Sequence, residues 1–477
     1  MRLRVTIVFI LQLACVCLLG LPGAWSDSIH LKNGRTIVAD HVRESGTHYQ
    51  YDVGDDSYAI PKSAVDHVDA GGMPGLATSG AAKIGDLPSF APADSLANEI
   101  DLVTKIIKEG KVNPDVLAAL EAKGNSELSA TADFIAGKFE FEHGNIARSQ
   151  QYFENALRFQ PENSTILVYY AALLVRTGKA SQALPYAQRA VRAAPNSADA
   201  YTMLGYAQFI SDHTREAIVA WKRSLQLRPD AKVEQFLAKA QREQNVESDF
   251  AQGESSHFTL HYEGKQTSEA FRAQILAALE SDYDALARDL GNPPRDNIAV
   301  TLYTEQAFFD VTHAPGWSGA LNDGKLRIPV SGLDSMTPEL AHVLKHELAH
   351  SFIAQLSGGR CPQWLHEGIA QFLEPKSLGS EGHQLSLLFK AQRNIPVNGL
   401  EGSFLRFSSS QAYLAYAESL AAVSYINDAY GLSDIQRILE RISQGNSTEA
   451  ALRATIHSDY GQFETDLARY LADKYGE

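Results

Sequence analysis

Three prolines recur at one interval. Pro161 in "RFQPEN", Pro195 in "RAAPNS" and Pro229 in "QLRPDA" stand 34 residues apart, twice over. Gly144, Gly178 and Asp212 keep the same spacing, and so do Ala156, Ala190 and Ser224. A fixed period of this length means one supersecondary unit repeated, each unit hiding its apolar face against the next. The stretch "ADAYTMLGYAQFISDHTREAIVAWKRSLQLRP" shows the unit: a helix, a turn, a second helix and a closing proline. Clear units span about 129–230, and "AKVEQFLAKAQREQ" after them has the spacing of a capping helix with a polar outer face. Residues 96–124 share the helical spacing as a degenerate leading unit, which places the helical repeat region at 96–247.

Ahead of the repeats the pattern changes twice. "MRLRVTIVFILQLACVCLLGLPGAWS" sets Arg2 and Arg4 before an apolar run and ends on the small-residue site Ala24-Trp25-Ser26, which reads as an export signal over 1–26. An N-terminal membrane anchor is the alternative, but Val5 to Leu21 is short for a span and contains Gln12. The expected destination is periplasmic or extracellular, with no stable membrane insertion after cleavage. Such a leader takes Cys15 and Cys17 with it and leaves Cys361 alone, so no internal disulfide is expected. The net charge of −15 excludes nucleic acid as the expected partner. Residues 27–70 alternate (Ile29/Leu31, Thr36/Val38, Tyr49/Tyr51/Val53, Tyr58/Ile60) between Gly-containing turns and predict a small β domain. The Gly, Ala, Pro and Ser of 71–95 predict a linker.

The last domain is placed at 255–477. "HFTLHYE" and "IAVTLYT" read as strands around a helix over 268–291, and "GALNDGKLRIPV" as a hairpin. Beyond it, "LKHELAHSFIAQL" carries His346, Glu347 and His350. Positions i and i+4 share a helix face, so both imidazoles can reach one metal ion while Glu347 touches a water beside it, the HExxH arrangement of zinc peptidases. Zinc at a catalytic site takes three protein ligands and keeps one place for water. Glu367 in "CPQWLHEGIAQFLEP" supplies the third, on a second helix brought back by Gly358, Gly359 and Pro362.

"LKHELAH" followed by "WLHEGIAQFLE" resembles the gluzincin metallopeptidases, and within them the peptidase MA-like domain; the likeness covers roughly 256–470. The 34-residue units resemble tetratricopeptide repeats. These resemblances imply one Zn2+ on His346, His350 and Glu367, with Glu347 as general base. They also suggest Tyr416 in "AYAES" as the donor to the oxyanion, with Tyr413 and His383 as rivals. "KLRIPV" resembles the edge strand that zincins lay beside the active helix, with Gly319 and Ala320 near the cleft. Gln371 stands where some gluzincins carry an aspartate that orients a ligand histidine, so that support is weaker or comes from elsewhere. His342 reads as a solvated position, His366 as turned away from what Glu367 faces, and Cys361 as a buried small residue.

The expected architecture is therefore multi-domain: a small β domain, an all-α tetratricopeptide solenoid and an α+β zincin-like domain. The expected function is zinc-dependent hydrolysis of exported peptides or proteins, with a protein partner on the repeats. The alternative is a protein-binding scaffold carrying an inactive zincin-like domain.

Overall fold

The computed structural model describes residues 26–32, 36–39, 41–53, 56–72, 90, 96–264, 267–314, 319–330, 332–379, 381–404 and 407–476. Residues 1–25 of the expected leader and, apart from Phe90, residues 73–95 of the expected linker lie outside the described residues. Among the described residues no helix is long and apolar enough to cross a membrane.

Among the described residues six strands come first: β1 (Ser26–Leu31), β2 (Thr36–Ala39), β3 (His41–Ser45), β4 (His48–Val53), β5 (Asp56–Pro61) and β6 (Val65–Gly72). They pair antiparallel into two sheets, ordered β2-β1-β6 and β3-β4-β5. Helices α1 (Leu96–Ile106) and α2 (Pro114–Glu121) follow, joined through the ribbon β7 (Ile107–Lys108) and β8 (Lys111–Val112).

Three helix pairs then form the solenoid: α3 (Ser126–Glu142) with α4 (Ile146–Phe159), α5 (Ser164–Arg176) with α6 (Ala180–Ala193), and α7 (Ala198–Ile210) with α8 (Thr214–Leu227). Helix α9 (Ala231–Glu247) closes them. Each first helix starts on a side-chain cap: Asn125, Asn163 and Ser197 accept from the backbone N–H of Leu128, Ile166 and Ala200. Small residues let the paired helices cross closely, since a Cβ at Gly137 would lie 2.6 Å from the Phe153 ring and one at Gly205 2.6 Å from Trp221. Gly144, Gly178 and Asp212 fill the left-handed turn position between paired helices, with φ of 78°, 66° and 64°. Asp tolerates that conformation better than most side chains, and here its carboxylate has a task across the domain boundary.

The C-terminal unit begins with β9 (Ala251–Glu254), β10 (Phe258–Tyr262), α10 (Glu269–Leu290), β11 (Ile298–Tyr303), α11 (Glu305–Thr312), β12 (Leu321–Asn322) and β13 (Leu326–Pro329). The sheet order is β12-β13-β11-β10-β9, with β10, β11 and β13 parallel and the two edges antiparallel. Two details differ from the sequence reading. The sheet starts at Ala251 instead of 255, because the polar "AQGE" pairs with β10 although it shows no apolar alternation. "KLRIPV" is not the edge: β13 lies between β11 and β12, so the edge strand beside the metal-site helix is Leu321–Asn322. A two-residue edge offers little backbone to an incoming strand.

Helices α12 (Pro338–Ser357), α13 (Gln363–Leu373), α14 (Glu381–Lys390), α15 (Ser409–Tyr430), α16 (Leu432–Ser443), α17 (Thr448–Ile456) and α18 (Tyr460–Tyr475) complete the unit. Its core gathers Leu344, Leu348 and Phe352 of α12, Trp364 and Ile369 of α13 and Leu420 and Val423 of α15, all fully buried.

The solenoid docks on this unit through its turns. Nζ of Lys325, in the turn just before β13, donates to Asp212 at 2.7 Å and to Glu243 of α9 at 2.6 Å. Arg327 donates to Glu243 at 2.7 Å and to Asp323 at 2.9 Å, and Lys239 of α9 reaches Asp323 at 2.6 Å. His261 of β10 meets Asp212 at 2.5 Å. Gly178 lies against the Gln355 side chain and Gly144 against Arg360, where any Cβ would collide. Repeats and C-terminal unit thus share one buried ionic seam.

Candidate metal centre

Helix α12 starts on the Thr337 cap with Pro338 in its first turn, and Gly358 and Gly359, at φ 60° and 71°, end it in left-handed conformations. That reversal returns α13 alongside α12. His346 (1 % exposed), Glu347 (0 %) and His350 (2 %) lie on the inner side of α12, and Glu367 (0 %) on α13. Glu367 Oε2 stands 3.4 Å from His346 Nε2 and 3.7 Å from His350 Nε2. His346, Glu347 and His350 also bring one ligand atom each within 4.8 Å of one another.

The surroundings set each group in place. Gln363 Nε2 donates to Glu367 Oε1 at 2.7 Å, which leaves Oε2 turned to the histidines. Glu374, at the end of α13, meets His346 Nδ1 at 2.9 Å. A proton held there by the carboxylate directs the Nε2 lone pair at the point between the rings. No residue singled out in the sequence had this role, and Gln371 does something else: its amide donates to the carbonyls of Tyr416 (2.9 Å) and Glu367 (3.3 Å), tying α13 to α15. A carboxylate one helical turn past Glu367-x-x-x-Gln was the signal available for Glu374. On the other side of α12, Asn322 Nδ2 donates to the Glu347 carbonyl at 2.7 Å and to Ser351 Oγ at 2.8 Å.

Tyr416 (2 % exposed) reaches the centre, with its hydroxyl hydrogen-bonded to Glu367. Glycine makes the approach feasible, because a Cβ at Gly368 would lie 2.3 Å from the Ser419 carbonyl of α15. The rivals lie elsewhere: Tyr413 bonds to Glu381, and exposed His383 meets the Tyr475 carbonyl at 3.0 Å. His342 is exposed. His366 does not turn away: its ring lies 4.5 Å from that of His350, since two successive positions of α13 can both flank α12. Cys361 is buried and, with His350 and His366, lines a cavity of about 110 Å³ against Val175, Ala180 and Ile210 of the solenoid. Ala320 is fully buried.

The electrostatics are those of charges held out of water. Burial pushes the Glu347 carboxyl up to about 8, with Glu367 and Glu374 adding and His346 opposing. Burial would lower His346, but Glu374 and Glu367 outweigh it and raise the ring to about 10. His350 has no such carboxylate on its outer nitrogen, and burial with the neighbouring rings holds it well below the usual range. His346 Nε2, both Glu347 oxygens and both His350 nitrogens are buried without a hydrogen bond. A divalent cation fits this donor set: two imidazole nitrogens and one carboxylate oxygen, aimed at one point, are a zinc ligand set.

Residues 281–473 match the family model of the Peptidase MA superfamily, and residues 140–205 match that of the tetratricopeptide repeat. The C-terminal unit is therefore a Peptidase MA superfamily domain preceded by tetratricopeptide repeats. No curated protein matches the chain significantly. Among solved structures, the MamA RS-1 ArsTM double mutant is 22 % identical over 32 % of this chain and 88 % of its own, with a TM-score of 0.27. The P58(IPK) TPR domain is 16 % identical over 72 % of this chain and 79 % of its own, with a TM-score of 0.24. Likenesses this slight carry no argument about function.

Proposed function

We propose that the chain is a zinc-dependent metallopeptidase that hydrolyses peptide bonds of exported peptides or proteins, in the periplasm or outside the cell. The observation that supports this most is the approach of Glu367 Oε2 to both His346 Nε2 and His350 Nε2, beside a Glu347 carboxylate without a partner. His346, His350 and Glu367 would hold the ion. Zinc bound there supplies a Lewis acid that makes water a nucleophile near neutral pH and polarises a carbonyl.

The protein's own groups handle the protons. Glu347 would accept a proton from the attacking water and return it to the leaving amine nitrogen. Tyr416 keeps its phenolic proton, since burial and then Glu367 and Glu347 hold its pKa well above the usual range. It can therefore donate a hydrogen bond to the substrate oxygen as that oxygen becomes negative. Glu374 and Gln363 keep His346 and Glu367 oriented.

Two measurements on the full chain test the reading. Metal analysis is expected to find stoichiometric zinc that Glu367→Ala loses. A proteome-derived peptide digest is expected to show new termini with wild type, falling about 10²–10⁴-fold in rate with Glu347→Gln. Zinc retained together with unchanged cleavage in Glu347→Gln would mean another group is the base.

A further inference from the structure

Where the first repeat turn meets the loop between α12 and α13, two arginines lie together without a carboxylate. Arg176, at the end of α5, places its guanidinium 4.4 Å over the Phe141 ring and donates from Nη1 to the Phe141 carbonyl at 3.1 Å. Arg360 lays its guanidinium over Gly144, where a Cβ would meet its Nη1, Cζ and Nε at 1.5, 2.1 and 2.5 Å. Gly144 N itself bonds the Phe141 carbonyl at 3.1 Å, so both guanidiniums bracket one turn. Among the described residues neither has an acidic oxygen within 4.0 Å, and Arg176 Nε is buried with no hydrogen bond.

That is anomalous for this chain. Its net charge is −15, and the nearby cations Lys239, Lys325 and Arg327 are each paired with acids. Two like charges held together and partly out of water cost free energy until an anion joins them. Burial lowers both arginines, and the charge of Arg360 adds to the effect on Arg176. The packing beside them is aromatic and buried: Tyr169 of α5 lies 5.2 Å from Phe134 and 6.5 Å from Phe141 of α3. Phe90, from the segment ahead of the repeats, sits edge-on upon Tyr169 at 5.2 Å.

We propose that this seam binds a carboxylate of a peptide, gripped by Arg176 from the solenoid and Arg360 from the Peptidase MA domain. The Tyr169 shelf takes a nearby aromatic side chain of the same peptide in the place where Phe90 now rests. The planar guanidinium forks match a carboxylate in geometry, and neither domain alone supplies both. An Asp or Glu side chain and a peptide C-terminus offer the same group. The inference concerns binding and stands whether or not the chain hydrolyses peptides.

The test titrates the full-length Glu347→Gln protein with rhodamine-labelled pentapeptides, read by fluorescence anisotropy. They are Ala-Phe-Ala-Asp-Ala as its amide, Ala-Phe-Ala-Asn-Ala with a free C-terminus, and Ala-Phe-Ala-Asn-Ala as its amide. At least one carboxylate peptide is expected to bind about 10-fold or more tighter than the uncharged amide, and whichever does so names the source. That advantage is expected to vanish in Arg360→Gln and in Arg176→Gln, while Arg360→Gln, relieved of a like charge, melts no lower than its parent. Equal affinities, an advantage that survives both substitutions, or a marked drop in the melting temperature of Arg360→Gln would overturn the assignment. So would inorganic phosphate binding to the arginines when no peptide carboxylate does.

Discussion

Two clusters of buried charge flank the β12–β13 hairpin, and they are built on opposite plans. At the seam, Asp212, Glu243 and Asp323 face Lys239, Lys325 and Arg327, each with a partner between 2.6 and 2.9 Å. At the candidate metal centre His346, Glu347 and His350 are buried as deeply, yet five of their nitrogen and oxygen atoms have no hydrogen bond. Each such atom costs about 1–3 kcal/mol. Packing alone would not retain five in one place, so the comparison separates charge that closes a structure from charge kept open for a ligand. The hairpin serves both: Asp323 belongs to the seam, while its neighbour Asn322 holds the Glu347 carbonyl.

If the seam is closed, breaking it should be costly. Arg327→Leu leaves Glu243 and Asp323 short of a partner and is expected to lower stability by about 3–5 kcal/mol in urea unfolding. A loss below about 1 kcal/mol would show that the network is not a closed one. If the metal centre is open toward substrate, removing its donor should touch rate alone: Tyr416→Phe is expected to reduce kcat about 10²–10³-fold with zinc content unchanged. Loss of zinc there would recast Tyr416 as support for Glu367. Glu374→Gln should weaken zinc about 10–100-fold in chelator competition, because the His346 proton loses its carboxylate.

Acid gives the mildest contrast. Burial would raise the Glu243 and Asp323 carboxyls, but Arg327 and the lysines outweigh it and hold both below the usual range. Their folded-state pKa values are depressed, so their contribution is complete above the unfolded pKa near ~4 and is lost as pH falls below it. Thermal melts between about pH 4 and 2 should show the decline, and a flatter one in Arg327→Leu. An identical slope in both proteins would place the acid sensitivity elsewhere.

The parts of the molecule that could be read from the sequence are those fixed by local spacing. A 34-residue period gave the solenoid because every unit repeats the same caps and crossings. The convergence of His346, His350 and Glu367 was legible because the two histidines share one helix face and Glu367 follows a Gly/Pro reversal. Glu374 was hidden since its partner lies 28 residues back, across a helix packing that spacing does not encode. The seam was more remote still: Lys325 and Asp212 are 113 residues apart. Its one local trace was Asp212 standing where two earlier units have glycine, a substitution that costs backbone comfort and so asks for a contact in return. The edge strand was misplaced because β12, two residues long, has no period to detect.

Repeat arrays generally lengthen or shorten by whole units, since each unit meets only copies of itself. Here the three turns meet three different neighbours: Arg360 at Gly144, Gln355 at Gly178, Lys325 and His261 at Asp212. The units are alike in fold but no longer interchangeable in position. A duplicated or deleted unit that put a glycine in place of Asp212 would cost both Lys325 and His261 the carboxylate they share, so the count of repeats is locked by the surface they sit on.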